Sequence, residues 1–171
     1  MSEIDNLYDL HTDPKSLFGY STRSYRIPEL AWERAIREPE LKNLLEPTIA
    51  KSAYATYEYA MSTGKRFIPG EPSLFHNSYF ALKYFKRFFR PNRWPELEKT
   101  ITTPIYAAQY AMVLGKPTPE REKLIATSGT ASLTYARYVL CGRFPAGEKD
   151  GFLKSPVAAA EYRKFLEENN I

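Results

Sequence analysis

A glutamate and a tyrosine recur along this chain at a nearly constant interval. The glutamates are Glu46, Glu71, Glu98, Glu122 and Glu148, and the tyrosines are Tyr59, Tyr84, Tyr110, Tyr135 and Tyr162. Both series step by 24 to 27 residues, which is too short for a domain and right for one supersecondary unit. Each glutamate falls in a short segment and each tyrosine in a longer, apolar one. No segment alternates apolar and polar residues as a half-buried strand does, and the β-branched residues are scattered. The expectation is an all-α chain, an array of short helix-turn-helix repeats of about 25 residues. One such unit buries too little surface to fold alone, so neighbours must stack, as a solenoid or curled into one globule.

Turn chemistry marks the units. Helices are expected over 28–37, 40–45, 48–62, 78–89, 96–101, 105–114, 120–126, 130–141, 148–153 and 156–168, with a short segment at 73–75. Leu30, Ala31, Ala35 and Ile36 supply the apolar side of the first. The clearest junction is Gly142-Arg143-Phe144-Pro145-Ala146-Gly147-Glu148: a glycine stop, a basic-aromatic turn and a proline start. Residues 1–27 show no period and form an N-terminal arm ahead of a helical domain at 28–171.

The stretch Tyr135-Ala136-Arg137-Tyr138-Val139-Leu140-Cys141-Gly142-Arg143-Phe144-Pro145-Ala146-Gly147-Glu148 resembles a short tandem helical repeat found in accessory proteins of large tailed bacteriophages. Its form there is Tyr-Ala-x-x-Val-Leu-x-Gly-Arg-Phe-Pro-x-Gly-Glu. The match is good again at 59–71 and degenerate at 84–98 and 110–122. Arg90 stands where a glycine is expected, and Lys116-Pro117-Thr118 lacks the ring. The resemblance covers about residues 40–165. It implies a phage accessory or host-takeover protein, with a host or phage protein as partner, and brings no catalytic residues.

Composition narrows the classes. With 171 residues, 43% of them hydrophobic, the chain can bury a sizeable core. The net charge of +4 is mildly basic and demands neither nucleic acid nor an acidic partner. Cys141 is the one cysteine, so no internal disulfide can form, and it reads as a small core hydrophobe in a reducing compartment. The N-terminus carries no signal-peptide core, and no apolar run approaches the ~20 residues of a membrane span. A cytoplasmic protein with no membrane association is expected.

The densest concentration of charge and rings is the helix at 79–90. At 100° per residue, Lys83, Lys86, Arg87 and Arg90 gather within an arc of about 100° beside Tyr79, and no acid occurs between Glu71 and Glu96. Such a face suits phosphates or an acidic protein surface, or is simply the solvated side of an amphipathic helix. The turn residues Lys65, Arg66, Arg93, Trp94 and Arg143 fall on one side of successive units. There they either form a basic stripe or cover junctions and helix ends. The recurrent glutamates read as residues at helix starts, paired with those arginines. His11, with Asp5, Asp9 and Asp13 around it, matches no metal template, and His76 precedes a helix capped by Asn77 or Ser78. Thr127-Ser128-Gly129-Thr130 is a helix entry, not a phosphate loop. No nucleophile, base and orienter come together, so no catalytic residue, metal or cofactor is assigned. The reading is a non-enzymatic interaction protein that binds a protein through its repeat surface. Nucleic-acid binding through the 79–90 face and the basic turns is the first alternative. A virion component or self-assembling homo-oligomer is the second.

Overall fold

A computed structural model describes residues 26–171, and among these every regular element is helical. We number the α-helices α1 (Pro28–Arg37), α2 (Lys42–Ile49), α3 (Ala53–Thr63), α4 (Glu71–Leu74), α5 (Ser78–Phe88) and α6 (Pro95–Glu98). They continue as α7 (Pro104–Leu114), α8 (Pro119–Ile125), α9 (Gly129–Tyr135), α10 (Pro145–Lys149) and α11 (Pro156–Asn169). Short 3-10 turns sit at Pro39–Leu41, Ile68–Gly70 and Phe152–Lys154. The all-α expectation holds. His11 and its neighbouring aspartates, and most of the N-terminal arm, lie outside the described residues.

The long helices begin by one rule. Ser52, Ser128 and Ser155 each accept a hydrogen bond from the amide three residues on, at 3.3, 3.4 and 3.4 Å. Asn77 Oδ1 accepts one from Phe80 N–H at 3.3 Å. Thr103 stands at the same place before α7, which starts on Pro104. Side-chain caps of this kind contribute about 1 kcal/mol each. Every one of these five residues lies seven positions before a tyrosine of the recurrent series. α3 therefore starts at Ala53 rather than at 48, because Thr48 and Ile49 end α2 and Ser52 is the cap.

The helix ends vary. α3 and α7 stop on Gly64 and Gly115, with φ of +67° and +78°. The helix after Ser128 stops on Cys141 at φ +49°, one residue before the glycine that the sequence suggests. Tyr135 and Cys141 are one residue further apart than Tyr59 and Gly64, or Tyr110 and Gly115. The extra residue is absorbed as a π-helical turn over Ala136–Leu140. Cys141 is exposed, not a core residue, and its left-handed backbone costs what a glycine would not.

The described chain divides into two compact units, one ending at Ala81 and one running from Leu82 to Ile171. In the first, α1 packs on α2 and α3, and α3 packs on α4. Its core holds Ala31, Ala35, Leu45, Ile49, Ala55 and Ala60. Leu30 and Ile36, expected inside, are 37% and 38% exposed, while Arg34 is 4% exposed and pairs with Glu38. In the second unit, α7 packs on α9 and α9 on α11. Its aromatic centre is Tyr84, Phe85, Phe89, Trp94 and Tyr110. Phe89 stacks on Trp94 at 4.3 Å and Phe85 on Tyr110 at 4.7 Å. Large rings of this kind dominate core energetics.

Candidate functional site

The recurrent tyrosines and glutamates meet. In the second unit the hydroxyls of Tyr110, Tyr135 and Tyr162 each bridge two groups of the junction that precedes their helix. Tyr110 accepts from Trp94 N–H at 3.1 Å and donates to Glu98 Oε1 at 2.5 Å. Tyr135 accepts from Thr118 N–H at 3.0 Å and donates to Glu122 Oε1 at 2.9 Å. Tyr162 accepts from Phe144 N–H at 2.9 Å and donates to Glu148 Oε1 at 2.7 Å. In the first unit Tyr59 donates to Glu46 Oε1 at 3.0 Å. Burial, followed by the bond to Glu122 and its charge, pushes the Tyr135 phenol up to about 12 against the opposing bond from Thr118 N–H. Burial also raises the phenols of Tyr110 and Tyr162, with the Glu98 and Glu148 carboxylates adding to it. Each tyrosine thus stays a proton donor across neutral pH.

The arginines of three junctions close on the same glutamates. Arg66 grips Glu71 at 2.8 and 2.9 Å, Arg93 grips Glu98 at 2.7 and 2.6 Å, and Arg143 grips Glu148 at 3.0 and 2.9 Å. In all three pairs Nε and Nη2, one edge of the guanidinium, donate to the two oxygens of the carboxylate, the geometry that matches it. The bond from Arg143 holds the Glu148 carboxyl below the usual range, against partial burial and with help from Tyr162. Burial alone would raise Glu98, but the bonds from Arg93 and Tyr110 and the charges of Arg93 and Arg121 outweigh it and lower it. Arg93 also pairs with Glu120, and Arg121 reaches the Glu98 carbonyl at 2.8 Å. The pairing of glutamates with turn arginines, expected from the sequence, is what the junctions contain.

That outcome changes the standing of the turn residues as a binding stripe. Arg66, Arg93 and Arg143 are exposed, yet each carries its own carboxylate. Trp94 is 1% exposed, stacked on Phe89, and belongs to the core rather than to a surface. Phe67 and Phe144 are buried in the same way, each edge-on to a tyrosine, Tyr59 and Tyr135, with ring centres 5.0 Å apart. The bulk of the ring is used inward. Lys65 is exposed.

The face of α5 is different. Lys83, Lys86, Arg87 and Arg90 are all exposed, while Tyr84 and Phe85 on the same helix are fully buried. Lys86, Arg87 and Arg90 form no ion pair among the described residues. The Arg87 guanidinium lies 5.8 Å from the Phe88 ring centre. Arg90 lies beside the last turn of α7, where a Cβ on Gly115 would come within 3.3 Å of its guanidinium. Tyr79, at the start of α5, is 59% exposed. Three adjacent cations without a neutralising partner are unusual here, given how completely the junction arginines are paired.

Among the described residues, no three His, Cys, Asp or Glu side chains group as a metal site would need. His76 is exposed just before α5, behind the Asn77 cap. No described helix is long and apolar enough to cross a membrane. The sequence reading places a cap at Asn77 or Ser78, which Asn77 fills, but misses the serine caps Ser52, Ser128 and Ser155, although their fixed distance to each tyrosine is as regular as the tyrosine series itself. It also missed small-residue seats. A Cβ on Gly147 would come within 2.7 Å of Phe144 and 2.8 Å of Ser132. Gly70 is held as closely against Thr56. Ser132 and Thr56 each lie three residues before a recurrent tyrosine. Comparison with protein-family models, with characterised proteins and with solved structures returns no match.

Proposed function

We propose that this chain is a tandem array of two-helix units of about 25 residues and works as a non-enzymatic interaction protein. It holds an acidic protein partner on the basic face of α5. One observation carries the reading. The junction arginines are consumed by Glu71, Glu98 and Glu148, whereas Lys86, Arg87 and Arg90 remain exposed and without a counter-charge. Unpaired surface cations cost solubility nothing, and they steer an oppositely charged surface into register. The tandem reading is supported by the hydroxyl bridges of Tyr110, Tyr135 and Tyr162, which use the same two kinds of partner each time. The resemblance of 135–148 to phage repeats supports a source among phage accessory proteins, acting in the host cytoplasm. Neutralised junctions leave no continuous basic stripe, which favours a protein partner over nucleic acid.

The test is affinity capture from nuclease-treated bacterial lysate, comparing the native chain with Lys86→Glu/Arg87→Glu/Arg90→Glu. The expected result is an acidic protein held by the native chain and lost by the variant. Binding that disappears with nuclease treatment and falls steeply with salt would replace this reading with nucleic-acid recognition. Equal recovery by both forms would remove α5 as the site.

A further inference from the structure

The last helix of the second unit carries a groove of about 240 Å³, lined by Phe152, Ala159, Tyr162 and Leu166 and edged by Arg163 and the paired Arg143 and Glu148. Its position on the helix is informative. On α9 the surface formed by Ser132 and Tyr135 is occupied by the following junction. Phe144 lies edge-on to Tyr135 at 5.0 Å, and Gly147 comes so close to Ser132 that no Cβ would fit. On α3, Thr56 and Tyr59 receive Gly70 and Phe67 in the same way. Ala159 and Tyr162 stand at the matching places on α11, three residues apart. There the ring of Tyr162 stacks instead on Phe152, at 4.2 Å, from its own side of the groove. No junction of the described residues covers it.

We propose that this groove is a second docking site, which accepts an extended peptide carrying an aromatic-proline pair next to an acidic residue. The inference rests on the tandem reading above but not on the basic face of α5. The internal junctions define the apolar part of the ligand. Three of them seat a ring against the preceding tyrosine, Phe67 on Tyr59, Trp94 on Tyr84 and Phe144 on Tyr135, and at α3 and α9 a glycine follows against the small residue three positions before it. The charge comes from a local difference. The residue after Tyr135 is Ala136, fully buried, whereas the residue after Tyr162 is Arg163, exposed and without an ion pair among the described residues. Arg143 is already neutralised by Glu148. The rim therefore offers one uncompensated positive charge beside the ring seat, which a carboxylate on the incoming peptide would meet. An extended proline-containing segment also loses little entropy on binding.

The experiment is fluorescence anisotropy with labelled Gly-Glu-Phe-Pro-Ala-Gly-Glu against the full chain. Saturable binding is expected, weakened at least about tenfold when the peptide phenylalanine is replaced by alanine, as for a buried aromatic anchor. Two protein variants, Ala159→Leu to fill the groove and Arg163→Glu to reverse its charge, should each lower affinity by about tenfold or more while leaving the circular-dichroism melt unchanged. The α5 triple variant should bind the peptide as the native chain does. No saturable binding, or binding that both groove variants retain, overturns the proposal. So does self-association of the chain abolished by Ala159→Leu, because it would give the groove to a second copy. Melting of Tyr135→Phe and Tyr162→Phe separates the two failures: equal losses leave the tandem reading standing when the peptide does not bind, and unequal losses remove its basis.

Discussion

The junctions at 143–148 and 117–122 perform the same task with different parts. The first has Arg143, a buried Phe144 ring, and Gly147 seated on Ser132. The second has Pro117 in place of the arginine and Thr118, 1% exposed, in place of the ring. Among the described residues Glu122 forms no ion pair, against the bidentate grip on Glu148. What the two share is the hydroxyl bridge from Tyr135 or Tyr162 to a backbone N–H and a glutamate, and a proline that starts the next helix. The difference teaches which parts are essential to the turn. The tyrosine satisfies a backbone donor that a buried turn would otherwise leave open, and such orphans are expensive. Ring and arginine are additions that a given junction can lack.

The largest effect that would sharpen this contrast is in the ring. Phe144→Ala should cost about 3–5 kcal/mol by truncating a buried phenylalanine, and Thr118→Ala only about 1 kcal/mol. Urea unfolding of both variants measures the difference, and equal losses would break the contrast. Next is the shared bridge. Tyr135→Phe and Tyr162→Phe should each cost roughly 1.5–3 kcal/mol, because each removes a bond to a charged group and strands a buried N–H. The same bridge has an alkaline signature. Tyr135 holds its proton up to about 12 in the folded chain, against 10.0 ordinarily. Its contribution is complete below pH 10 and is lost as pH rises towards 12, since the unfolded chain ionises first. Tyr135→Phe should flatten that part of the pH-stability curve.

The smallest effect is in the arginine. Arg143→Ala should cost less stability than any of the changes above, since the pair is solvent-exposed and screened. It should still move the acid limb. The depressed Glu148 carboxyl contributes stability that is present above its ordinary value and lost as pH falls through the depressed one. Without Arg143 that loss begins at higher pH, which acid titration by circular dichroism would detect. An unmoved acid limb would mean that Tyr162 alone holds Glu148 ionised.

The tyrosine and glutamate series is legible in the sequence because each tyrosine follows a glutamate by 12 to 14 residues, close enough to constant to bring the pair to the same place. The arginine pairs are legible for a similar reason: each guanidinium stands five residues before its glutamate, across one proline turn. The stop at Cys141 is not legible. Gly142 beside it is the better left-handed residue, and only the packing that holds Tyr135 and Phe144 in place forces the turn one position earlier. The burial of Arg34 in place of Leu30 and Ile36 follows from which side of α1 meets α2 and α3, which periodicity within one short helix leaves open. From the sequence Trp94 reads either as part of a basic-aromatic stripe with Arg93 or as a ring that covers its junction. The structure takes the second: Trp94 meets the rings of Tyr84 and Phe89, while Arg93 pairs with Glu98 and Glu120.

The π turn at Ala136–Leu140 bears on how such a chain can change length over generations. From cap to tyrosine the spacing is always seven, and one residue added there would rotate the hydroxyl by about 100° away from its junction. Between tyrosine and junction the spacing is free to grow. One residue more is taken up as a wider coil, and between Tyr84 and Arg93 two more are taken up in the turn after Phe89. Insertions are therefore forgiven on one side of each tyrosine and lethal to the clamp on the other. Copying errors would then accumulate just ahead of the exposed turns, where new contacts can be tried without dismantling the old ones.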